Sequence, residues 1–188
     1  MNKCIVVTEG KIDIAILKAI LNPAEDDNVE FFPAGGWSSA DSYARSVLIN
    51  GERNVALVVD ADTTDANLVE ERRSFLHRSM GAIASSSKWK VVALKPKIEM
   101  LLFKDRKVIE ALAGRPLSET DFVRACFTPK EVIKELFADK NLADVSETGL
   151  PRLNLNQIRE ATPIQELMAF LKLNRKSATH GEKSMVPA

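Results

Sequence analysis

The apolar run at residues 55–59 constrains the fold more than any other part of the chain. Its five residues, Val-Ala-Leu-Val-Val, lead directly into Asp60 and, after one alanine, Asp62. An uninterrupted valine-rich run of this kind is typical of a strand buried on both faces. Such a strand does not need two acids at its exit, because each carboxylate must be hydrated, paired or bound to a metal. The stretch therefore predicts a parallel sheet with a functional site at this strand end.

Strand and helix patterns alternate through the first half of the chain. Short β-branched runs predict further strands at 3–8, 29–32 and 89–94. Between the first two, Ile12, Ile16 and Ile20 recur at helical spacing. Alternation with short connections predicts an α/β fold, a mainly parallel, Rossmann-like sheet with helices on both sides.

The pattern changes after residue 105. Helical segments follow at 107–113, 119–127, 129–138 and 157–173, with no convincing strand between them. The last residues contain few large apolar side chains, which favours disorder. We therefore predict a catalytic core at 1–105, an all-helical C-terminal region at 106–173 and a disordered tail at 174–188.

Composition excludes several classes of protein. Lys and Arg number 26, and so do Asp and Glu, so any nucleic-acid binding must come from local patches. The two cysteines form no CxxC pair, which argues against a structural zinc site. No run is apolar enough to span a bilayer and no signal peptide is recognisable, so we expect a cytoplasmic protein without a membrane partner.

Further acids are predicted to converge on Asp60 and Asp62. Glu9 ends the first strand, Asp13 lies one helical turn later, and Glu99 follows the fourth strand. Crowded carboxylates raise one another's pKa unless a cation neutralises them, and Lys11 is the only base adjacent to them in sequence. Mg²⁺ or Mn²⁺ prefers such oxygen ligands. Asp13 has an alternative interpretation as a partner of the helix N-terminus, and Glu99 as a solvated acid.

Three segments together resemble the Toprim domain: VVTEGKID at 6–13, GG at 35–36 and VVDAD at 58–62. This domain is shared by type IA and type II topoisomerases, bacterial primases, small RNA maturases and OLD-family nucleases. The resemblance covers about the first hundred residues and implies that the first and third strands are adjacent. It also implies that Glu9 matches the family's invariant glutamate, and that Asp60 and Asp62 match its Asp-x-Asp pair.

The Glu-Gly-x-x-Asp form of the first segment is most similar to OLD-like and small stand-alone Toprim nucleases. The resemblance implies a Mg²⁺- or Mn²⁺-dependent hydrolase that cleaves nucleic acid, with DNA favoured over RNA. Glu9, Asp60 and Asp62 would be catalytic, and Asp13 and Glu99 would be additional metal ligands. The only tyrosine, Tyr43, lies in a predicted helix, which argues against a topoisomerase.

Candidate phosphate-binding groups surround these acids. Gly35 and Gly36 either expose backbone N–H groups to an anion or form a turn that needs positive φ. Lys95 and Lys97 belong to a lysine-rich stretch at 88–107, which suits a nucleic-acid backbone or a solvated face, and Lys11 is a further candidate. For Trp37 and Trp89 we predict packing rather than base stacking.

Two alternative functions remain open from the sequence. The motif DADTT at 60–64 matches Asp-x-Asp-x-Thr of haloacid-dehalogenase-type phosphatases, in which Asp60 would attack phosphorus. Against it, two βα units precede the motif and Glu9 would have no role. The chain could instead be a non-catalytic Toprim subunit, because it has no phosphate loop of its own. Its helical region would then dock a separately encoded ATPase or a second copy of the chain.

Overall fold

The computed structural model describes residues 4–21, 28–51, 53–137 and 149–181, with only the backbone for 173–181. It contains a four-stranded parallel sheet in the order β2-β1-β3-β4. Val7 of β1 pairs with Leu57 of β3, so the predicted adjacency of the first and third strands is confirmed. The strands are β1 Cys4–Thr8, β2 Val29–Pro33, β3 Asn54–Asp60 and β4 Trp89–Leu94.

Helices cover both faces of the sheet, as predicted. The chain passes from β1 to β2 at one edge and then back to β3, and right-handed crossovers in opposite directions place helices on opposite faces. Helix α1 (Lys11–Leu21) packs on one face, where Ile16 joins the core. Helices α2 (Trp37–Asn50) and α3 (Ala66–Gly81) pack on the other, where Leu48 and Met80 meet β-strand valines.

The C-terminal region packs into the same hydrophobic core as α1 and does not form a separate core. Its buried residues, such as Ile133 and Leu167, join one hydrophobic cluster with the α1 face of the sheet. The change after residue 105 is therefore a change of architecture within a single core. The elements are a 3-10 helix at Ile98–Lys104, α4 (Arg106–Ala113), α5 (Glu119–Ala125), α6 (Pro129–Leu136), a 3-10 turn at Leu150–Arg152, α7 (Asn156–Arg159) and α8 (Thr162–Gly181).

The sequence predicts that Thr162-Pro163 either interrupts the last helix or sets its true start, and the structure confirms a break there. Helix α7 ends at Arg159 and α8 begins at Thr162, where Pro163 suits a first turn. Helix α8 then continues to Gly181, so the backbone of 174–181 is helical in a segment predicted to be disordered. The remainder of the predicted tail, 182–188, lies outside the described residues. In the described part of the chain, no helix is long and apolar enough to cross a membrane.

Candidate active site

Glu9 and Asp60 meet at one edge of the sheet. Glu9 directly follows β1, and Asp60 is the last residue of the neighbouring strand β3. The backbone N–H of Asp60 donates to Glu9 Oε1 at 2.9 Å. The carboxylate of one strand end is thus held by the backbone of the other, and the strand pairing itself sets their distance.

The Gly35–Gly36 turn positions Glu9 from the other side. The N–H groups of Gly35 and Gly36 donate to the Glu9 carbonyl oxygen at 2.8 and 3.0 Å. The two glycines have φ of +88° and +129°, values that other residues rarely adopt. The predicted phosphate role of these N–H groups is therefore wrong, because both are already used. The alternative, a turn that requires positive φ, is confirmed.

Asp60 and Asp62 are anchored to the segment that follows β4. The N–H of Ile98, at the start of the 3-10 helix, donates to Asp60 Oδ1 at 2.8 Å. The N–H of Asp62 donates to the Pro96 carbonyl at 2.8 Å. Asp62 has φ of +52°, a left-handed conformation that aspartate tolerates better than most residues. The Asp-x-Asp pair therefore has a fixed backbone and two carboxylates on the same rim.

Two cations lie beside this pair, and neither is Lys11, the only base adjacent to the acids in sequence. The Lys97 ammonium donates to Asp62 and lies 3.6 Å from Asp60 Oδ2. Partial burial opposes its charge, but the hydrogen bond to Asp62 and the two neighbouring carboxylates raise the pKa of Lys97 overall. Arg72 of α3 lies 3.6 Å from Asp62 and donates to the Ala61 carbonyl. Arg72 belongs to none of the sequence motifs, so the sequence analysis did not identify it.

Asp13 lies in the first turn of α1, and Glu99 lies in the 3-10 helix that packs against α1. Asp13 Oδ2 accepts the N–H of Gly10 at 2.8 Å, which closes the turn into α1 as its alternative interpretation expects. Glu99 is only 3% exposed, so its interpretation as a solvated acid is wrong. Among the described residues, Glu99 Oε2 has no hydrogen-bond partner. Burial raises the pKa of both acids, and the charge of Lys130 on α6 partly offsets this rise. Lys130 was missed because it lies far away in sequence.

Burial raises the pKa of four acids at this edge. Desolvation is the largest cause for each of them, and it raises the pKa of Asp60 to about 7. For Glu9, the hydrogen bond from the Asp60 N–H partly offsets the effect of burial, and the charges of Asp62 and Asp13 add to it, so the pKa is raised overall. Burial therefore disfavours the charged form of each of these acids, which a bound cation would favour. The four are Glu9, Asp13, Asp60 and Glu99.

The donor chemistry of this edge fits a hard divalent cation, although the present side-chain positions do not. Every available ligand is a carboxylate oxygen, and one oxygen of Glu99 is buried without a partner among the described residues. Within 4–21, 28–51, 53–137 and 149–181, however, no three His, Cys, Asp or Glu side chains are grouped so that they could hold a metal ion. Lys97 lies between Asp60 and Asp62 in this arrangement.

The predicted lysines do not all gather at the carboxylates. Lys95 and Lys97 line a cleft of about 440 Å³ between the end of β4 and the turn into α8, together with Lys104 and Glu160. Lys11 is exposed at the start of α1. Lys97 links this cleft to the Asp-x-Asp pair, because it lines the cleft and also pairs with Asp62.

The two tryptophans have different surroundings. Trp89 is buried in β4, and its Nε1–H donates to the Ala84 carbonyl at 3.0 Å, as predicted for packing. Trp37 begins α2 and lies next to the half-exposed ring of Phe75. Its position beside the carboxylate edge was not recognised in the sequence.

No family model matches the sequence, and no curated protein matches it. Solved structures, in contrast, are similar to this chain. The C-terminal region of the Burkholderia pseudomallei OLD protein superposes with a TM-score of 0.63 at 10% identity, over 93% of this chain and 98% of that one. The fold is that of the OLD C-terminal region. The corresponding region of the Xanthomonas campestris pv. campestris OLD protein gives a TM-score of 0.56 at 14% identity, over 96% and 98%.

These OLD C-terminal regions carry a Toprim domain, so the predicted Toprim-type fold is confirmed. The similarity extends beyond the motifs. It spans nearly the whole chain, and therefore includes helices after residue 105, for which the sequence showed no resemblance.

Proposed function

We propose that this protein is a divalent-metal-dependent nuclease that hydrolyses phosphodiester bonds in nucleic acid, DNA in particular, in the cytoplasm. The observation that carries the proposal is the set of partly buried carboxylates on adjacent strand ends, with raised pKa values. Acids kept at such an energetic disadvantage are typical of functional sites. The OLD-type fold supports the same conclusion.

Asp60 and Asp62 would hold Mg²⁺ or Mn²⁺, with Glu9, Asp13 and Glu99 as further ligands. When bound, such an ion lowers the pKa of the attacking water and offsets the charge that builds on the phosphate oxygens. The ammonium of Lys97 now pairs with Asp62, and we propose that this lysine pairs instead with the substrate phosphate when the ion is present.

The remaining groups have roles that follow from their positions. Glu9 lies next to Asp60 and would move a proton as general base or acid, or join Asp13 as a ligand. The cleft lined by Lys95 and Lys104 would receive the nucleic-acid backbone, because its lysines exceed its single acid, Glu160. Exposed Lys11 would contribute a further charge on the opposite side of Glu9.

The proposal is tested by incubating the purified chain with single- and double-stranded DNA and RNA in Mg²⁺, Mn²⁺ or chelator. We expect strand scission that requires the ion. Release of phosphate from small phosphomonoesters, with a phospho-aspartate at Asp60 and no scission, would instead establish the haloacid-dehalogenase alternative.

The second part of the proposal concerns a protein that binds to the helical region. The similar structures are C-terminal regions of OLD proteins, so each is part of a longer protein. We propose that the helical region docks a separately encoded ATPase or a second copy of this chain. A chain that cuts only after a candidate ATPase is added would support the partner. A chain inert in both conditions would be the non-catalytic subunit.

A further inference from the structure

A second pocket adjoins the Asp-x-Asp pair on the side opposite the lysine cleft. It encloses about 580 Å³ between the start of α2 and one face of α3. Its side chains are Trp37, Asp62, Leu68, Glu71, Arg72 and Phe75. The proposed nuclease chemistry uses only Asp62 of this set, so the pocket has no role yet.

Three of the six side chains that line the pocket are large and apolar: Trp37, Leu68 and Phe75. Leu68 is 48% exposed and Phe75 49%, although both lie on a helix whose other face is packed on the sheet. The Trp37 and Phe75 ring centroids are 5.9 Å apart at an interplanar angle of 31°. Because these two rings already contact each other, a flat ligand would stack on their outer faces.

The charged groups of the pocket favour a base over a phosphate. Asp62 already pairs with Lys97 and Arg72, so Glu71 is the acid that the pocket offers to a ligand. Arg72 is also engaged, because it donates to the Ala61 carbonyl and lies 3.6 Å from Asp62. A nucleobase is uncharged, stacks on aromatic faces and offers N–H donors that a carboxylate such as Glu71 accepts.

We propose that this pocket binds one unpaired nucleobase of the nucleic-acid strand whose phosphate lies at the carboxylate edge. The proposal rests on the proposed function for the nature of the ligand. Asp62 is common to the pocket and to the edge, so a base in the pocket and a phosphate at the edge would belong to neighbouring parts of one strand. Such a site would favour single-stranded or locally opened substrate.

The test measures binding and needs no cutting. Wild type and Phe75→Ala are titrated with a short oligothymidylate, and with an abasic strand of equal length, in Ca²⁺, with gel confirmation that the strands stay intact. We expect Phe75→Ala to weaken binding of the oligothymidylate about tenfold, the usual effect of losing one base–aromatic stack. Binding of the abasic strand should not change, because it has phosphates but no bases.

Two controls make the result specific. Phe127 is an exposed phenylalanine outside the pocket, so Phe127→Ala should bind both strands as wild type does. A stacked base should also quench tryptophan fluorescence. That quenching should disappear in Trp37→Phe, because Trp89 is buried.

Three results would overturn the proposal. They are equal binding of both strands by wild type, equal losses for the two strands in Phe75→Ala, and a change of oligomeric state in Phe75→Ala with unchanged oligonucleotide affinity. The last would assign the pocket to a protein interface. Failure here leaves metal-dependent scission intact, whereas loss of scission with base binding preserved would overturn only the proposed function.

Discussion

The fold shifts the pKa of acids at the strand ends and of acids on the surface of the helical region in opposite directions. On the helical region, Arg124 donates to Glu135 at 2.8 Å, and this hydrogen bond lowers the pKa of Glu135. The pKa of Glu110 is likewise lowered, first by the Leu117 N–H and then by Arg106. At the strand ends, burial raises the pKa of Glu9 and Asp60 instead.

The direction of the pKa shift distinguishes acids whose charged form stabilises the fold from acids whose charged form destabilises it. An exposed carboxylate with an arginine partner favours its charged form without loss of hydration. A carboxylate desolvated beside other carboxylates disfavours that form, and its pKa rises. Substitution should therefore have opposite consequences at the two sets of acids, and the following predictions address this.

The largest effect is expected at Glu9. Glu9→Gln retains an oxygen that accepts the Asp60 N–H but removes the charge, so scission should fall at least about a hundredfold while nucleic-acid binding is largely spared. Glu135→Gln is the matched control and should cut as wild type does. The rate of nicking under single-turnover conditions is the measurement. Cutting by Glu9→Gln at the wild-type rate would remove Glu9 from the chemistry.

Asp60→Asn should change stability in a pH-dependent way. The folded state raises the pKa of Asp60 from 3.8 to about 7, so it binds the proton more tightly than the unfolded state. The stability from this proton is fully present below about pH 4 and is lost as pH rises through about 7. In chelator at pH 8, the free energy of unfolding of Asp60→Asn should thus exceed that of wild type by on the order of 2 kcal/mol, as measured with urea. At pH 4 the two proteins should be about equally stable.

A surface acid should show no such gain. Glu135→Gln removes a carboxylate whose pKa the fold lowers, so its stability relative to wild type should fall slightly, not rise, between pH 4 and pH 8. Urea unfolding of wild type and both variants across this range gives the comparison. Equal pH profiles for Asp60→Asn and wild type would mean that Asp60 is not strained by burial.

The smallest effect is expected at Lys130. Its charge lowers the pKa of Asp13 and Glu99 from an exposed position on α6, where solvent screens it. Lys130→Met should therefore raise both pKa values, as followed by ¹³C carboxyl resonances in an NMR titration. Lys134→Met, one turn later on the same helix, is the control. Unchanged titration of Asp13 and Glu99 would show that α6 has no electrostatic part in the site.

Sequence reasoning found the parts of this site that depend on short-range patterns. Glu9 and Asp60 could be placed because each follows a recognisable buried strand, and strand ends of a parallel sheet share an edge. The role of Gly35 and Gly36 was left open because a glycine pair is compatible both with an anion site and with a positive-φ turn. Only the contact with the Glu9 carbonyl decides between them.

The groups that sequence reasoning missed depend on long-range packing. Arg72 reaches Asp62 because α3 packs on the sheet beside α2, and the charge of Lys130 acts on Asp13 because α6 and α1 share one core. Neither lies in a motif. The position of the helical region against the sheet follows from a shared core whose contacts join residues far apart in sequence, so periodicity alone could not predict it.

Calorimetric titration with Mn²⁺ near pH 8 tests the central claim most directly, because it asks whether the strained acids form a metal site. Wild type, Asp60→Asn and Glu135→Gln are compared, and urea unfolding confirms that each is folded. We expect wild type and Glu135→Gln to bind Mn²⁺ alike, and Asp60→Asn at least about tenfold more weakly, because an amide replaces a charged ligand. Equal affinity in wild type and Asp60→Asn, or no binding by wild type, would contradict the account.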